Sequence, residues 1–133
     1  MTMRILIADD NELIRQGVRN ILASGDNLDV CGEAQDGEET IQRASELLPD
    51  LVLLDISMPD VSGLDVARVL RRQMPGTRIL MMSQHDPQLF LPRALEAGAH
   101  GCLDKANLGS ELLEGIRSME AKWVAVPSKS SQH

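Results

Sequence analysis

The chain has 133 residues, enough for one domain with a substantial core, because a chain of this size buries roughly two-thirds of its extended surface. Its hydrophobic fraction of 43% is typical of a soluble globular protein, and its net charge of -7 argues against direct binding to nucleic acid, which depends on cationic contacts to phosphate. It has no signal-peptide pattern and no apolar run of the roughly 20 residues that span a bilayer, so we expect a cytoplasmic protein without a membrane partner.

Apolar segments and amphipathic segments alternate along the first half of the chain. An apolar run over 4–8 predicts a first strand, and Asn11 is placed to cap the helix that follows. Residues 28–34 alternate like a second strand, and 38–48 predict a second helix with Ile41, Ala44 and Leu48 facing inward. Residues 51–54 are consecutively apolar and lead into Asp55, which indicates a strand buried on both faces of a parallel sheet.

The alternation continues through the second half. Ser62-Gly63 opens a third predicted helix, 78–83 predict a fourth strand, and 102–104 predict a short fifth strand. Asn107 is placed to cap a last helix with Leu112, Ile116 and Met119 inward. Helical periodicity stops after Ala121. We therefore expect one domain over 1–121 and a disordered polar tail, or the start of a linker, over 122–133.

Two prolines complicate the start of the fourth predicted helix. Asp86-Pro87 is typical of a helix start, because proline suits the first helical position. Pro92 would then lie inside the helix, where a proline costs about 3 kcal/mol. We expect this helix either to begin late, near Leu89, or to be bent.

Strictly alternating strands and helices predict an α/β fold with three layers, in which helices cover both faces of a parallel five-stranded sheet. The expected topology is the doubly wound (βα)5, flavodoxin-like arrangement with strand order 2-1-3-4-5. Cys31 and Cys102 would then lie on opposite edge strands, too far apart to form a disulfide.

Three carboxylates are expected to meet at the carboxyl end of this sheet. Asp9 and Asp10 follow the first strand, Asp55 ends the third, and such strand ends converge on one crevice. Each close carboxylate pair costs roughly 4 kcal/mol at an effective dielectric constant of 20, unless a cation neutralises the pair or a pKa rises. Oxygen ligands of this kind suit Mg²⁺. With Lys105 and the hydroxyl of Ser83 at neighbouring strand ends, the set predicts phosphoryl transfer onto Asp55.

These residues give the sequence a strong resemblance to the receiver domain of two-component response regulators. The resemblance covers residues 3 to about 121. It depends on Asp9-Asp10, on the motif from Leu53 to Asp60 with Gly63, and on Ser83 and Lys105. The segments 32–37 and 93–105 are most similar to receivers that precede a LuxR-type helix-turn-helix.

The resemblance implies a role for each residue. Asp55 would accept phosphate from the phosphohistidine of a sensor histidine kinase, Lys105 would contact the phosphoryl group, and Ser83 would act as the switch hydroxyl. Asp10 would bind Mg²⁺ directly and Asp9 through water, with Asp55 and the Ser57 carbonyl as further ligands. The chain would be a signalling module rather than an enzyme, because its chemistry is limited to its own phosphorylation and slow dephosphorylation. Further expected partners are a second copy of the chain and a C-terminal DNA-binding domain that this chain lacks.

The sequence departs from the pattern of the family in two places. Cys102 occupies the switch position at which members usually carry an aromatic residue, which puts the aromatic half of the usual switch in doubt. Ala106 occupies a position at which many members have a cis proline, and we expect a trans bond because cis costs about 3–4 kcal/mol for a residue other than proline. The chain also ends without an output domain, as in a truncated receiver or a single-domain regulator.

Three other functions fit parts of this sequence pattern. A degenerate receiver acting as a phosphorylation-independent scaffold is favoured by Cys102 and opposed by the intact acidic pair. A phosphatase resembling the haloacid dehalogenase family would need an Asp-x-Asp motif after the first strand, where this chain has Asp9-Asp10-Asn11. A flavin-binding module of the same topology would need a phosphate loop at that point, and the carboxylates would repel a phosphate.

Overall fold

The computed structural model describes residues 2–125, and they form five parallel strands that alternate with five helices. The sheet has the order β2-β1-β3-β4-β5, as predicted. The strands are β1 (Met3–Ala8), β2 (Leu28–Ala34), β3 (Leu51–Asp55), β4 (Arg78–Ser83) and β5 (Gly101–Asp104). The helices are α1 (Glu12–Ala23), α2 (Gly37–Leu47), α3 (Gly63–Gln73), α4 (Pro87–Glu96) and α5 (Leu108–Ala125), the last preceded by a 3₁₀ turn at Lys105–Asn107.

The central strand β3 is buried along its whole length. It pairs in parallel with β1 and with β4, so neither of its edges reaches solvent. Leu51 and Leu53 pack on one face of the sheet against α1 and α5, whereas Val52 and Leu54 pack on the other face against α2, α3 and α4. This alternation follows from the twofold side-chain period of a strand, and it fixes the register that carries Asp55 to the carboxyl edge.

The late start, one of the two alternatives expected for α4, is wrong. The helix begins at Pro87 rather than near Leu89, with Pro92 inside it. Asp86 caps the helix by accepting a hydrogen bond from the Gln88 N–H at 2.9 Å. Pro87 loses nothing at this position, because the N–H groups of the first turn have no partners within the helix.

Leu48 does not face inward as predicted. It terminates α2 with a left-handed backbone (φ 49°), and its side chain is 64% exposed. Leu47 packs against the core instead, directly over Gly32, where a Cβ atom would lie 2.5 Å from the Leu47 side chain. The helical period fails here because the chain changes direction at the last turn before Pro49.

Three further expectations concern the two edges of the sheet and the end of the chain. Cys31 and Cys102 are free thiols on β2 and β5, the two edge strands, as predicted. All peptide bonds within residues 2–125 are trans, including that of Ala106. Helix α5 continues to Ala125, beyond the point where the sequence pattern stops, and the remainder of the predicted tail, 126–133, lies outside the described residues. No helix within the described part of the chain has the length and hydropathy of a membrane span.

Candidate acidic phosphoacceptor site

The sheet brings together the three carboxylates that the sequence predicts. Asp9 follows the last residue of β1, Asp10 comes next, and Asp55 is the last residue of the neighbouring strand β3. One carboxylate oxygen from each residue lies within 4.8 Å of the others. Asp9 and Asp55 are buried, whereas Asp10 is exposed. The site is therefore a crevice with an open side at Asp10.

Lys105 provides the cation that holds two of these carboxylates together. Its Nζ lies 2.6 Å from Asp9 Oδ2 and 3.1 Å from Asp55 Oδ1, and its side chain is only 5% exposed. Because Lys105 follows the edge strand β5, its stem crosses the end of β4 to reach the residues of β1 and β3. A flexible four-carbon stem with a compact charge is suited to that reach.

Asp55 is held by backbone as well as by charge. The Ser57 N–H donates to Asp55 Oδ1 at 3.0 Å, which fixes the carboxylate relative to the loop that follows. Gly63, at the start of α3, packs against this strand end: its N–H donates to the Ile56 carbonyl at 2.7 Å, and a Cβ at residue 63 would lie 2.1 Å from the Asp55 carbonyl oxygen. Only glycine permits this approach.

The charge state of Asp55 reflects its surroundings. Burial and, to a smaller extent, the neighbouring Asp9 raise the pKa of this carboxyl to about 6, against the opposing effect of the Ser57 N–H and of Lys105. Desolvation penalises the charged form of any carboxyl, and a second carboxylate nearby adds repulsion. Both expected consequences of converging carboxylates are therefore present: the pKa of Asp55 is raised, and the Lys105 cation lies beside Asp9 and Asp55.

The donor set fits a small divalent cation. All three side chains offer carboxylate oxygens, the hard ligands that Mg²⁺ prefers. Among residues 2–125, Asp9 Oδ2 is buried without an aligned hydrogen bond and has only the ammonium of Lys105 beside it. A buried carboxylate oxygen in this condition is stabilised by further positive charge. The crevice can therefore accept a cation on its open side.

The two predicted switch residues lie close to this crevice but outside the carboxylate cluster. Ser83 ends β4, one residue beyond the partner of Asp55 in the sheet, and its buried hydroxyl accepts a hydrogen bond from the His85 N–H at 3.0 Å. Cys102 pairs with Met81, and it packs, as Phe90 of α4 does, against the hydrophobic cluster on the α4 side of the sheet. Burial, with a smaller contribution from Asp104, raises the pKa of the Cys102 thiol to about 11, so it stays a neutral core thiol.

Two residues, Arg15 and Asp60, support the site through contacts that the sequence analysis did not predict. Arg15, on α1, donates from Nη1 to the Asp9 carbonyl at 2.8 Å and from Nε to Glu33 at 2.8 Å. Asp60, in the loop after β3, accepts hydrogen bonds from the N–H groups of Gly37 (2.7 Å) and Glu38 (3.0 Å), the first turn of α2. These bonds lower the pKa of Asp60. The Arg15–Asp9 contact spans 6 residues and the Asp60 contacts span 23 and 22 residues, so none of them follows from the period of a single helix or strand.

Comparison with known proteins assigns the chain and its fold to one family. The family model for the response regulator receiver domain matches residues 5–117. The response regulator GacA of Pseudomonas viridiflava is 38% identical over 115 residues, which are 86% of this chain and 54% of that protein. The chain therefore spans about half the length of the curated relatives it matches.

Two solved structures extend the comparison. A two-component response regulator of the LuxR family from Aurantimonas sp. SI85-9A1 has a TM-score of 0.86 at 31% identity, covering 92% of this chain and 87% of that one. The signal receiver domain of the putative response regulator NarL from Mycobacterium tuberculosis has a TM-score of 0.82 at 34% identity, covering 89% of this chain and 95% of that one. The chain belongs to the response regulator receiver domain family of two-component signalling.

Proposed function

We propose that this receiver accepts a phosphoryl group on Asp55 from the phosphohistidine of a sensor histidine kinase. The observation that carries the proposal is the way Asp55 is held. Its Oδ1 accepts a hydrogen bond from the Ser57 N–H and lies 3.1 Å from the Lys105 ammonium. The other oxygen, Oδ2, is then free to attack phosphorus. A buried carboxylate at a rigid strand end, with one oxygen fixed and a cation beside it, is positioned as a nucleophile.

The transfer balances without any further reactant. Asp55 Oδ2 attacks the phosphorus of the phosphohistidine, a P–O bond forms, and the P–N bond breaks with its electron pair leaving on the imidazole nitrogen. Lys105 lies beside both Asp55 and Asp9, so its charge can follow the phosphoryl oxygens as negative charge develops on them. Water later attacks the phosphorus, which releases inorganic phosphate and restores the carboxylate.

Mg²⁺ is the cofactor that the acidic crevice would hold. We assign Asp10 and Asp55 as direct ligands with the Ser57 carbonyl, and Asp9 as a ligand through water, in keeping with the exposure of Asp10 and the burial of Asp9. When bound, the ion supplies positive charge that offsets repulsion between the carboxylates and the incoming phosphoryl group. Asp10 at the open side of the crevice is the residue best placed to capture it.

The phosphorylated state would be read through Ser83 and the segment that follows it. The Ser83 hydroxyl now accepts from His85, and turning it toward a phosphoryl group would release that N–H at the entry to α4. Because Cys102 replaces the usual aromatic residue, the signal would pass through α4 and the thiol beneath it. The output we propose is control of a partner or of a C-terminal DNA-binding domain, as the LuxR-family relative suggests.

The test is intact mass after incubation with a small-molecule phosphodonor, with and without Mg²⁺. We expect a single phosphoryl adduct that needs Mg²⁺, is stable in acid, is labile in base and is absent from Asp55→Asn. Asp65→Asn is the matched control, because it removes one carboxylate from exposed α3 and should leave the adduct intact. A folded protein that binds Mg²⁺ but never forms the adduct would support the alternative, a scaffold that has lost its switch.

A further inference from the structure

We propose that Arg15 is a positioning residue for the metal-binding loop, acting through the backbone of Asp9. The inference rests on the proposed function, since it concerns how the same acidic crevice holds Mg²⁺. Within residues 2–125, the Arg15 guanidinium bonds to the Asp9 carbonyl and to Glu33, and not to the carboxylate cluster or to Lys105. It instead fixes the peptide unit that joins the two acidic residues after β1.

The geometry of the contact explains the role. Arg15 Nη1 donates to the Asp9 carbonyl at 2.8 Å, and that carbonyl belongs to the peptide plane leading into Asp10. The Asp9 side chain is fixed separately, because its Oδ1 accepts the Asn11 N–H at 2.8 Å and its Oδ2 lies against Lys105. Asp10 is exposed and has no comparable restraint within residues 2–125. Arg15 therefore holds the peptide plane from which Asp10 and its carboxylate extend.

Glu33 makes the guanidinium of Arg15 a rigid support. Its carboxylate, on β2, accepts from Arg15 Nε at 2.8 Å and is also paired with Arg19, one helical turn farther along α1. The side chains of Arg15 and Glu33 are 12% and 29% exposed, so this pair is partly shielded from solvent. A planar guanidinium can serve the carboxylate and the carbonyl at fixed angles, which a lysine ammonium cannot do.

Electrostatics and positioning predict opposite signs for the loss of Arg15. Removing a cation near an acidic crevice makes the local potential more negative, which strengthens the binding of a divalent cation. Removing a support that orients a metal ligand weakens it, and groups that orient ligands typically account for about tenfold or more in metal affinity. The sign of the change therefore tells the two effects apart.

The experiment is titration calorimetry with Mg²⁺ alone on the wild-type chain, Arg15→Met and Arg15→Lys. Arg19→Met is the matched control, because it removes a cation and a Glu33 partner from the same helix but has no contact with the Asp9 carbonyl. We expect Arg15→Met to raise the Kd for Mg²⁺ on the order of tenfold, and Arg19→Met to change it less than about twofold. Arg15→Lys keeps the charge and should still raise the Kd several-fold.

Each outcome decides one claim. Unchanged or tighter Mg²⁺ binding by Arg15→Met would overturn the positioning role, as would an equal weakening by Arg19→Met. If Arg15→Met fails to fold, Arg15→Lys decides alone, and wild-type affinity in that variant would refute the inference. A wild-type chain that does not bind Mg²⁺ would overturn the proposed metal site itself, which is a distinct result.

Discussion

At the amino end of the sheet, the carboxylate of Asp50 accepts the Arg4 N–H at 2.8 Å, and the Asp50 backbone bonds to both Arg4 and Arg78. At the carboxyl end of the same strands, Asp9 and Asp55 face each other with one shared lysine between them. Asp50 closes a loop against its neighbours with neutral backbone donors. The carboxyl-end carboxylates repel one another, and a cation must hold them.

The contrast separates charge that stabilises the fold from charge that prepares a site. The Arg4 guanidinium donates to the Leu47 carbonyl at 2.6 Å, so the amino end also ties α2 to β1. At the carboxyl end the pKa of Asp55 is raised to about 6. The ionised Asp55 carboxylate, buried beside Asp9, therefore lowers the stability of the folded state. The predictions below follow from this difference.

The largest effect should come from Lys105→Ala. Its removal leaves Asp9 and Asp55 buried without their common cation, and breaking a buried pair in this way costs about 3 kcal/mol of unfolding free energy. Urea denaturation at neutral pH measures it, and saturating Mg²⁺ should restore part of the loss. As a control, Arg68→Ala breaks the exposed Arg68–Asp65 pair and should cost less than about 0.5 kcal/mol. Equal losses in the two variants would contradict the account.

A smaller loss, independent of Mg²⁺, is expected from Asp50→Ala at the opposite end. The variant leaves the Arg4 N–H without its acceptor, which costs about 1–2 kcal/mol of unfolding free energy. Asp50→Asn keeps an acceptor oxygen and should cost less. If Mg²⁺ rescued Asp50→Ala as it rescues Lys105→Ala, the two ends would not differ as described.

Asp55→Asn should stabilise the metal-free protein. The folded-state pKa of Asp55 is raised, so the folded state retains its proton to a higher pH than the unfolded chain, and stability is lost as the pH rises from about 4 through about 6. The variant removes this loss and should gain about 1–2 kcal/mol at pH 8, with less gain at pH 5. Thermal unfolding at both pH values in the presence of a chelator measures it. A destabilised variant at pH 8 would refute the interpretation.

The smallest effect concerns His100 at the amino end of β5. Its Nδ1 accepts the Ile79 N–H at 3.2 Å, and burial together with Arg78 and Arg71 lowers the pKa of His100. The unfolded chain then binds the proton more readily, so stability is lost as the pH falls below about 6.5. Relative to wild type, His100→Gln should gain stability between neutral and acid pH.

The sequence was sufficient to predict the topology and the members of the site for a physical reason. Four consecutive apolar residues before Asp55 require a strand buried on both faces, and burial of that strand places its last residue at the carboxyl edge. Asp9 and Lys105 follow from the same argument, because both directly follow strands. The hydrophobic pattern predicts where each strand ends, and the residues at those ends form the site.

The features that the sequence could not predict are a local change of backbone conformation, an irregular strand pairing and contacts between different elements. The position of Leu48 was wrong because its left-handed backbone breaks the helical period at the end of α2. The pairing of β2 with β1 skips Cys31, because Ile5 pairs with Val30 and Leu6 pairs with Gly32. The alternating sequence pattern of β2 does not reveal this extra residue. Arg15 and Asp60 act on partners in other elements. Propensity and periodicity depend on residues within one helix or strand, and they carry no information about contacts between different elements.

The most direct test of the account is the position of the phosphoryl group after Mg²⁺-dependent phosphorylation. Borohydride reduces an aspartyl phosphate to homoserine, which peptide mass spectrometry locates residue by residue. We expect homoserine at position 55 alone, with Asp9 and Asp10 recovered as aspartate, because only Asp55 has one oxygen fixed by Ser57 and Lys105 and the other free to attack. Homoserine at position 9 or 10 in the wild-type protein, or its absence from position 55 after a phosphoryl adduct has formed, would contradict the central claim.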